Sequence, residues 1–196
     1  MKTRACSFWL ALCVVLMPQA HGADRSPSVS RLDELLRKTG TLIRRDFVQV
    51  GTFESRQGAM MKQVTLHIGA VLVADMSNQN KAKGIRLAFE RTDKASAKDF
   101  EICYLDDDEI DPLLDAIQTL QAGPKPKAPF ANFLLSFKSR SGLAVEYTLT
   151  PPLPIIMAKR PPDGPASNAP LFLATDELPQ IKKLILDAKE VLSKAP

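Results

Sequence analysis

The segment from Phe100 to Leu120, FEICYLDDDEIDPLLDAIQTL, constrains the fold more than any other stretch, because its hydrophobic period changes once and abruptly. Phe100, Ile102 and Tyr104 alternate with Glu101, Cys103 and Leu105, the two-residue period of a strand with one face on a core. Ile110, Leu113, Leu114, Ile117 and Leu120 then fall on one face of an α-helix. The switch comes at Asp106, Asp107, Asp108, Glu109 and Asp111. Carboxylates at a helix start accept bonds from unpaired backbone N–H groups and complement the helix dipole, and Pro112 suits the first turn. Asp108 and Asp111 are therefore the expected caps of this helix.

A weaker copy, LFLATDELPQIKKLILDAKEVL, runs from Leu171 to Leu192. Asp176, Glu177 and Leu178 match Asp108, Glu109 and Ile110, while Ile181 and Ile185 match Leu113 and Ile117, so Asp176 is the expected cap of a second helix. Upstream of each copy lies a strand opened by glycine: Gly84, Ile85, Leu87 and Phe89 in one, Gly142, Leu143, Val145 and Tyr147 in the other. The pattern predicts an internal duplication of a strand, strand, helix unit, with halves at about 42–122 and 130–195 and an insertion in the second. The competing reading is a coincidence of two ordinary amphipathic units.

Residues 1–22 read as an address. Lys2 and Arg4 precede an apolar run from Phe8 to Met17, and Ala20-His21-Gly22 offers small residues where a signal peptidase cleaves. The run is short for a bilayer span, so cleavage after Gly22 and export to the periplasm or cell exterior are expected, with an uncleaved anchor as the alternative. Leu12 stands before Cys13 where a lipoprotein signal needs a small residue. Without Lys2 and Arg4 the 26 basic residues become 24 against 22 acidic ones. That near balance argues against nucleic acid as a partner, and no membrane span is expected once the signal is gone. Residues 23–196 suffice for a single domain.

Within that domain Cys103 is the lone cysteine and His67 the lone histidine. Cys103 sits in an apolar strand and reads as a small buried hydrophobe; the sharper alternatives are a nucleophile or an intermolecular disulfide. A multi-histidine zinc site is excluded, and His67, in VTLHIGAV, alternates with the apolar residues and points away from their face. A phosphate loop, a dinucleotide fingerprint and a nucleophile elbow are all missing from the sequence.

Asp106, Asp108 and Asp111 could place oxygens around calcium, and paired carboxylates serve glycosidases. An EF-hand register fails, since Asp111 occupies the glycine position and Ile117 the position of the bidentate glutamate. The recurrence of an Asp-Glu pair at the second helix start favours capping, and no cofactor is expected.

The remaining elements are simpler. Ser30 to Lys38 predicts a short N-terminal helix ended by Gly40. Leu42 to Phe53 has strand character, and Val64 to Ala74 alternates through a long strand with a bend at Gly69. MSNQNKAKG predicts a hairpin loop, and Arg140-Ser141-Gly142 predicts another turn. AGPKPKAP is a stiff connector. Pro151 to Pro170 contains seven prolines and predicts a surface loop or edge, with brief pairing at Ile155 to Met157.

The expected architecture is α+β: a mainly antiparallel sheet of about seven or eight strands, two pseudo-repeated helices on one face and a short N-terminal helix. The expected function is an exported, non-catalytic binding or interaction domain. A carrier of a small apolar ligand is the alternative, and a carboxylate-dependent hydrolase the third reading. The expected partner is a protein or a small apolar ligand.

Overall fold

The strand-to-helix junction at Asp106 is one of two such junctions, each closing a run of four antiparallel strands. The computed structural model describes residues 29–54, 64–91, 99–125, 133–149, 152–158 and 171–195. Helix α1 (Arg31–Arg37) is followed by β1 (Ile43–Glu54), β2 (Val64–Asp75), β3 (Lys81–Arg91), β4 (Asp99–Asp106) and α2 (Ile110–Gln121). After these come β5 (Leu134–Lys138), β6 (Leu143–Leu149), β7 (Pro152–Ala158), β8 (Leu171–Phe172) and α3 (Leu178–Ser193). A single 3-10 turn leads into each of the last two helices, Asp107–Glu109 and Thr175–Glu177. The expected signal segment, 1–22, lies outside the described residues.

The fold is α+β, but the one expected sheet is two four-stranded antiparallel meanders, β1-β2-β3-β4 and β5-β6-β7-β8. The physical reason lies at the edge of β4. The Ser141 hydroxyl, in the β5–β6 turn, accepts the Tyr104 N–H at 2.9 Å and donates to the Tyr104 carbonyl. A side chain thus occupies two of the backbone groups through which a fifth strand would continue the ladder.

Alternation sorts the first sheet into two faces. Leu66, Ile68, Ile85, Leu87, Phe89, Cys103 and Leu105 turn inward. They share one core with Ile110, Leu113 and Ile117 of α2, Ile181, Ile185 and Leu192 of α3, and Leu143, Val145 and Ile156 of the second sheet. Burying each such side chain stabilises the fold by about 1.5–3 kcal/mol. The opposite face of the first sheet is covered at one end by α1, whose Leu32 and Leu35 meet Val71 and Val73. Gly84 permits that approach: a Cβ there would lie 2.0 Å from the Leu105 carbonyl oxygen and 2.7 Å from Leu32 Cδ1.

Two local expectations need correction. The bend expected at Gly69 is a bulge in β1, between Gln49 and Gly51, in the segment that pairs with Gly69 and Ile68. The Phe47 ring lies over Gly69, where a Cβ would come within 2.4 Å of it. The brief pairing expected at Ile155 to Met157 is a full strand, Pro152–Ala158, between β6 and β8. Pro152 and Pro154 are tolerated because β8 reaches only Ile155 and Ile156, leaving the proline end as an edge. The rest of the proline-rich segment lies outside the described residues. Among the described residues no helix is long and apolar enough to cross a membrane.

Candidate functional site

The acidic corner after β4 is a clasp that joins three separate stretches of chain. Asp106 is 2 % exposed. Its carboxylate accepts the Arg31 N–H at 2.8 Å, the Leu32 N–H at 3.1 Å and the Ser30 hydroxyl at 3.0 Å. It caps the start of α1, a helix 75 residues upstream of it, while also standing as the N-cap residue of the 3-10 turn that follows it. Ser30 Oγ in turn accepts the Asp33 N–H at 3.2 Å.

At the two later helix starts the side chains that bond back are glutamates. Glu109 accepts the Asp106 N–H at 3.2 Å, and Glu177 accepts the Ala174 N–H at 2.7 Å, each the reaching-back half of a capping box. The aspartates expected in that role stand elsewhere. Asp108 bonds the Arg140 guanidinium, Asp111 meets Lys189 Nζ at 2.5 Å, and Asp176 is exposed. Glutamate reaches back across three residues where aspartate, one methylene shorter, turns outward.

Arg140 closes the corner. Its guanidinium lies 3.2 Å from Asp106 Oδ2 and 3.4 Å from Glu109 Oε1, and the backbone N–H of Arg140 donates to Glu109 Oε1 at 2.8 Å. The Arg140 bond holds the Asp108 carboxyl below the usual aspartate range, whereas burial pushes Glu109 above the usual glutamate value. Asp106, Asp108 and Asp111 therefore do not converge as calcium ligands: Asp106 is turned to the backbone of α1, Asp108 to an arginine and Asp111 to a lysine on α3. No group of three potential ligands occurs among the described residues. The sequence pointed to the acids but not to Ser30 or Arg140 as their partners, because nothing in a linear pattern says that a turn after β5 returns to the end of β4.

The part of the outer face of the first sheet that α1 does not cover is the better candidate for function. His67 sits there, opposite Thr52 of β1 and Ala88 of β3. Its Nε2 lies 2.7 Å from Glu90 Oε2, and its Nδ1 lies 3.4 Å from Gln49 Nε2. A proton on Nε2 satisfies the carboxylate and leaves Nδ1 to accept from the amide, so both ring nitrogens are engaged within the protein. Phe100 tilts against the imidazole with 6.1 Å between ring centroids. On this face Phe47 of β1 and Phe100 and Ile102 of β4 are 45 %, 47 % and 43 % exposed. The Arg86 guanidinium lies 5.3 Å above the Phe47 ring, a cation–π contact. A face that carries exposed aromatics, an arginine and a polar pair can grip another surface, since aromatic and arginine side chains carry much of the binding energy at interfaces.

Cys103 belongs to the opposite side of the same sheet. It pairs with Leu87 on the core face, while His67 shares the outer face with Ala88 and Ile102, so the two never meet. Burial pushes the Cys103 thiol far up, which removes the thiolate a nucleophile needs.

Neither a family model nor a curated protein nor a solved structure matches this chain.

Proposed function

We propose that this chain is an exported, non-catalytic protein-binding domain whose recognition surface is the outer face of the first sheet between α1 and the His67–Glu90 pair. The observation that carries the reading is the exposure of Phe47, Phe100 and Ile102 on the same face of one sheet, with Phe100 against a histidine whose two nitrogens are already spoken for. Arg86 and the exposed Arg45 give that face a positive rim. The partner that fits is a protein segment offering apolar side chains flanked by carboxylates. Export is supported by Lys2 and Arg4, the apolar run from Phe8 to Met17 and the Ala20-His21-Gly22 site.

The alternative, a carrier of a small apolar ligand, is favoured less because the inner faces of both sheets are filled by one continuous set of buried side chains from β2, β3, β4, β6, α2 and α3. The carboxylate-dependent hydrolase is favoured least, because the acidic corner spends its oxygens on backbone amides and on Arg140.

The duplication also belongs to this reading. Both halves run through four strands into a 3-10 turn, a back-bonded glutamate and a helix, and we take them as copies of one unit. In that alignment β7 corresponds to β3, which replaces the pairing of Gly84 with Gly142: Gly84 lies inside β3, whereas Gly142 lies in the turn before β6.

The test compares native co-purification from the producing cell's envelope for the natural protein and for Phe47→Ser/Phe100→Ser/Ile102→Ser, with mass spectrometry reporting the processed mass, bound small molecules and bound proteins. A protein retained by the first and lost by the folded triple variant supports the reading. A bound lipid with no protein partner replaces it with the carrier.

A further inference from the structure

The geometry points to a second use of the first sheet: we propose that β1 pairs antiparallel with β1 of a second copy of this chain, about a two-fold axis through Arg45. The inference is independent of the partner assigned above. β1 is the edge of its sheet, and six consecutive residues, Arg44 to Gln49, are exposed. Natural proteins blunt long edges with charged side chains, bulges, prolines or covering loops, and charges of one sign do so by repelling a second copy. Here the bulge at Gln49–Gly51 comes only after the regular stretch from Ile43, which no described strand pairs on its outer side and whose Arg44 and Asp46 are of opposite sign.

Charge complementarity selects the partner and the register. Within one strand the Arg44 Nε donates to Asp46 Oδ1 at 3.1 Å, and the side chains are 64 % and 48 % exposed. An antiparallel copy centred on Arg45 sets each Arg44 directly opposite the other copy's Asp46, giving a ring of alternating charge on one face. Directly opposed side chains have Cβ atoms about 4.5–5.5 Å apart and interact. The same register sets Leu42, 72 % exposed, against Val48, 52 % exposed, on that face. On the other face it sets Ile43 against Phe47. The exposed apolar residues of this edge therefore find one another. A shift of two residues either way brings Arg44 or Asp46 onto the axis against its own copy and loses both opposite-charge pairs. The chosen register has one cost, Arg45 opposite Arg45, whose long side chains diverge into water.

The pairing is isologous and closed, so it yields a dimer with a continuous eight-stranded sheet and not a fibre. It also brings the two outer faces into one surface, since Phe47 lies beside the axis.

Sedimentation of the full natural protein over a range of concentration should give a reversible monomer–dimer equilibrium. Asp46→Arg and Arg44→Asp should each raise the dimer dissociation constant by about tenfold or more. The double exchange Arg44→Asp/Asp46→Arg should restore it, a result no general loss of folding would produce. Arg45→Cys should form an intermolecular disulfide under mild oxidation, whereas Glu54→Cys, at the far end of the same strand, should not. A natural protein that stays monomeric at every concentration, or a dimer unmoved by both single exchanges, overturns the proposal.

Discussion

Asp106 accepts the backbone N–H of Arg31 at 2.8 Å, so the last residue of β4 fixes the first turn of a helix that begins 75 residues earlier. The same carboxylate receives the Leu32 N–H and the Ser30 hydroxyl and lies beside Arg140. A seven-residue helix has little stability of its own, and its place on the sheet depends on this anchor and on Leu32 and Leu35.

Asp106→Ala should therefore cost roughly 3 kcal/mol or more, because it strands buried donors and Arg140 together. Ser30→Ala should cost about 1 kcal/mol, the usual value of an N-cap. Urea titration would measure both. Hydrogen exchange should show α1 opening in the Asp106 variant while β2 and β3 stay protected, and equal protection throughout would refute the anchor.

Gly84→Ala should destabilise by about 2 kcal/mol, within the range for overpacking a filled site, since the new methyl meets the Leu105 carbonyl and Leu32 together. Pairing it with Leu32→Ala relieves only the softer contact. The double variant should thus recover little and the two costs should nearly add, whereas full rescue in thermal melts would be inconsistent with a backbone clash.

Acid stability should be set partly by Asp75. Its carboxylate accepts the Ser77 N–H at 2.9 Å and the Thr41 hydroxyl at 2.8 Å, with Lys38 Nζ at 3.2 Å, and these hold its pKa down to about 2. A folded pKa below the unfolded value of 3.8 means the stabilisation is complete above that value and is lost as pH falls through about 2. Asp75→Asn should lower stability at neutral pH and flatten the decline between about pH 4 and pH 2. An unchanged slope in melts across that range would contradict the assignment.

Arg140→Met should behave in the opposite sense. Burial holds the Glu109 pKa above its ordinary value, so the folded state takes up that proton first and gains stability as pH falls through the folded pKa. Removing the guanidinium leaves Glu109 and Asp106 without their cation. The variant should lose roughly 3 kcal/mol at neutral pH, and the loss should shrink toward mildly acidic pH as Glu109 protonates. A loss independent of pH would mean that packing, not charge, is what Arg140 supplies.

Much of the scaffold was legible residue by residue. The alternation of Leu66, Ile68, Leu87 and Phe89, and the helical stripe of Leu113, Leu114 and Ile117, name most of the first half's core. His67 was readable as facing away from that core, and Cys103 as buried in it. Capping falls to Glu109 and Glu177 and not to the expected Asp108, Asp111 and Asp176, because aspartate and glutamate are near-equivalent in a sequence argument and differ in reach. The partners Glu90 and Arg140 were invisible because each is brought in by strand register or by a returning turn.

The sequence by itself determined the local elements, where strand period gives way to helix period and which side of each element is apolar, because those depend on neighbours within a few residues. Only the tertiary structure decided that the strands divide into two sheets, that Asp106 serves a helix other than its own, and that His67 meets Glu90 beside Phe100. Those outcomes depend on contacts between residues far apart in the chain, and no local preference encodes which carboxylate a distant N–H or guanidinium will reach.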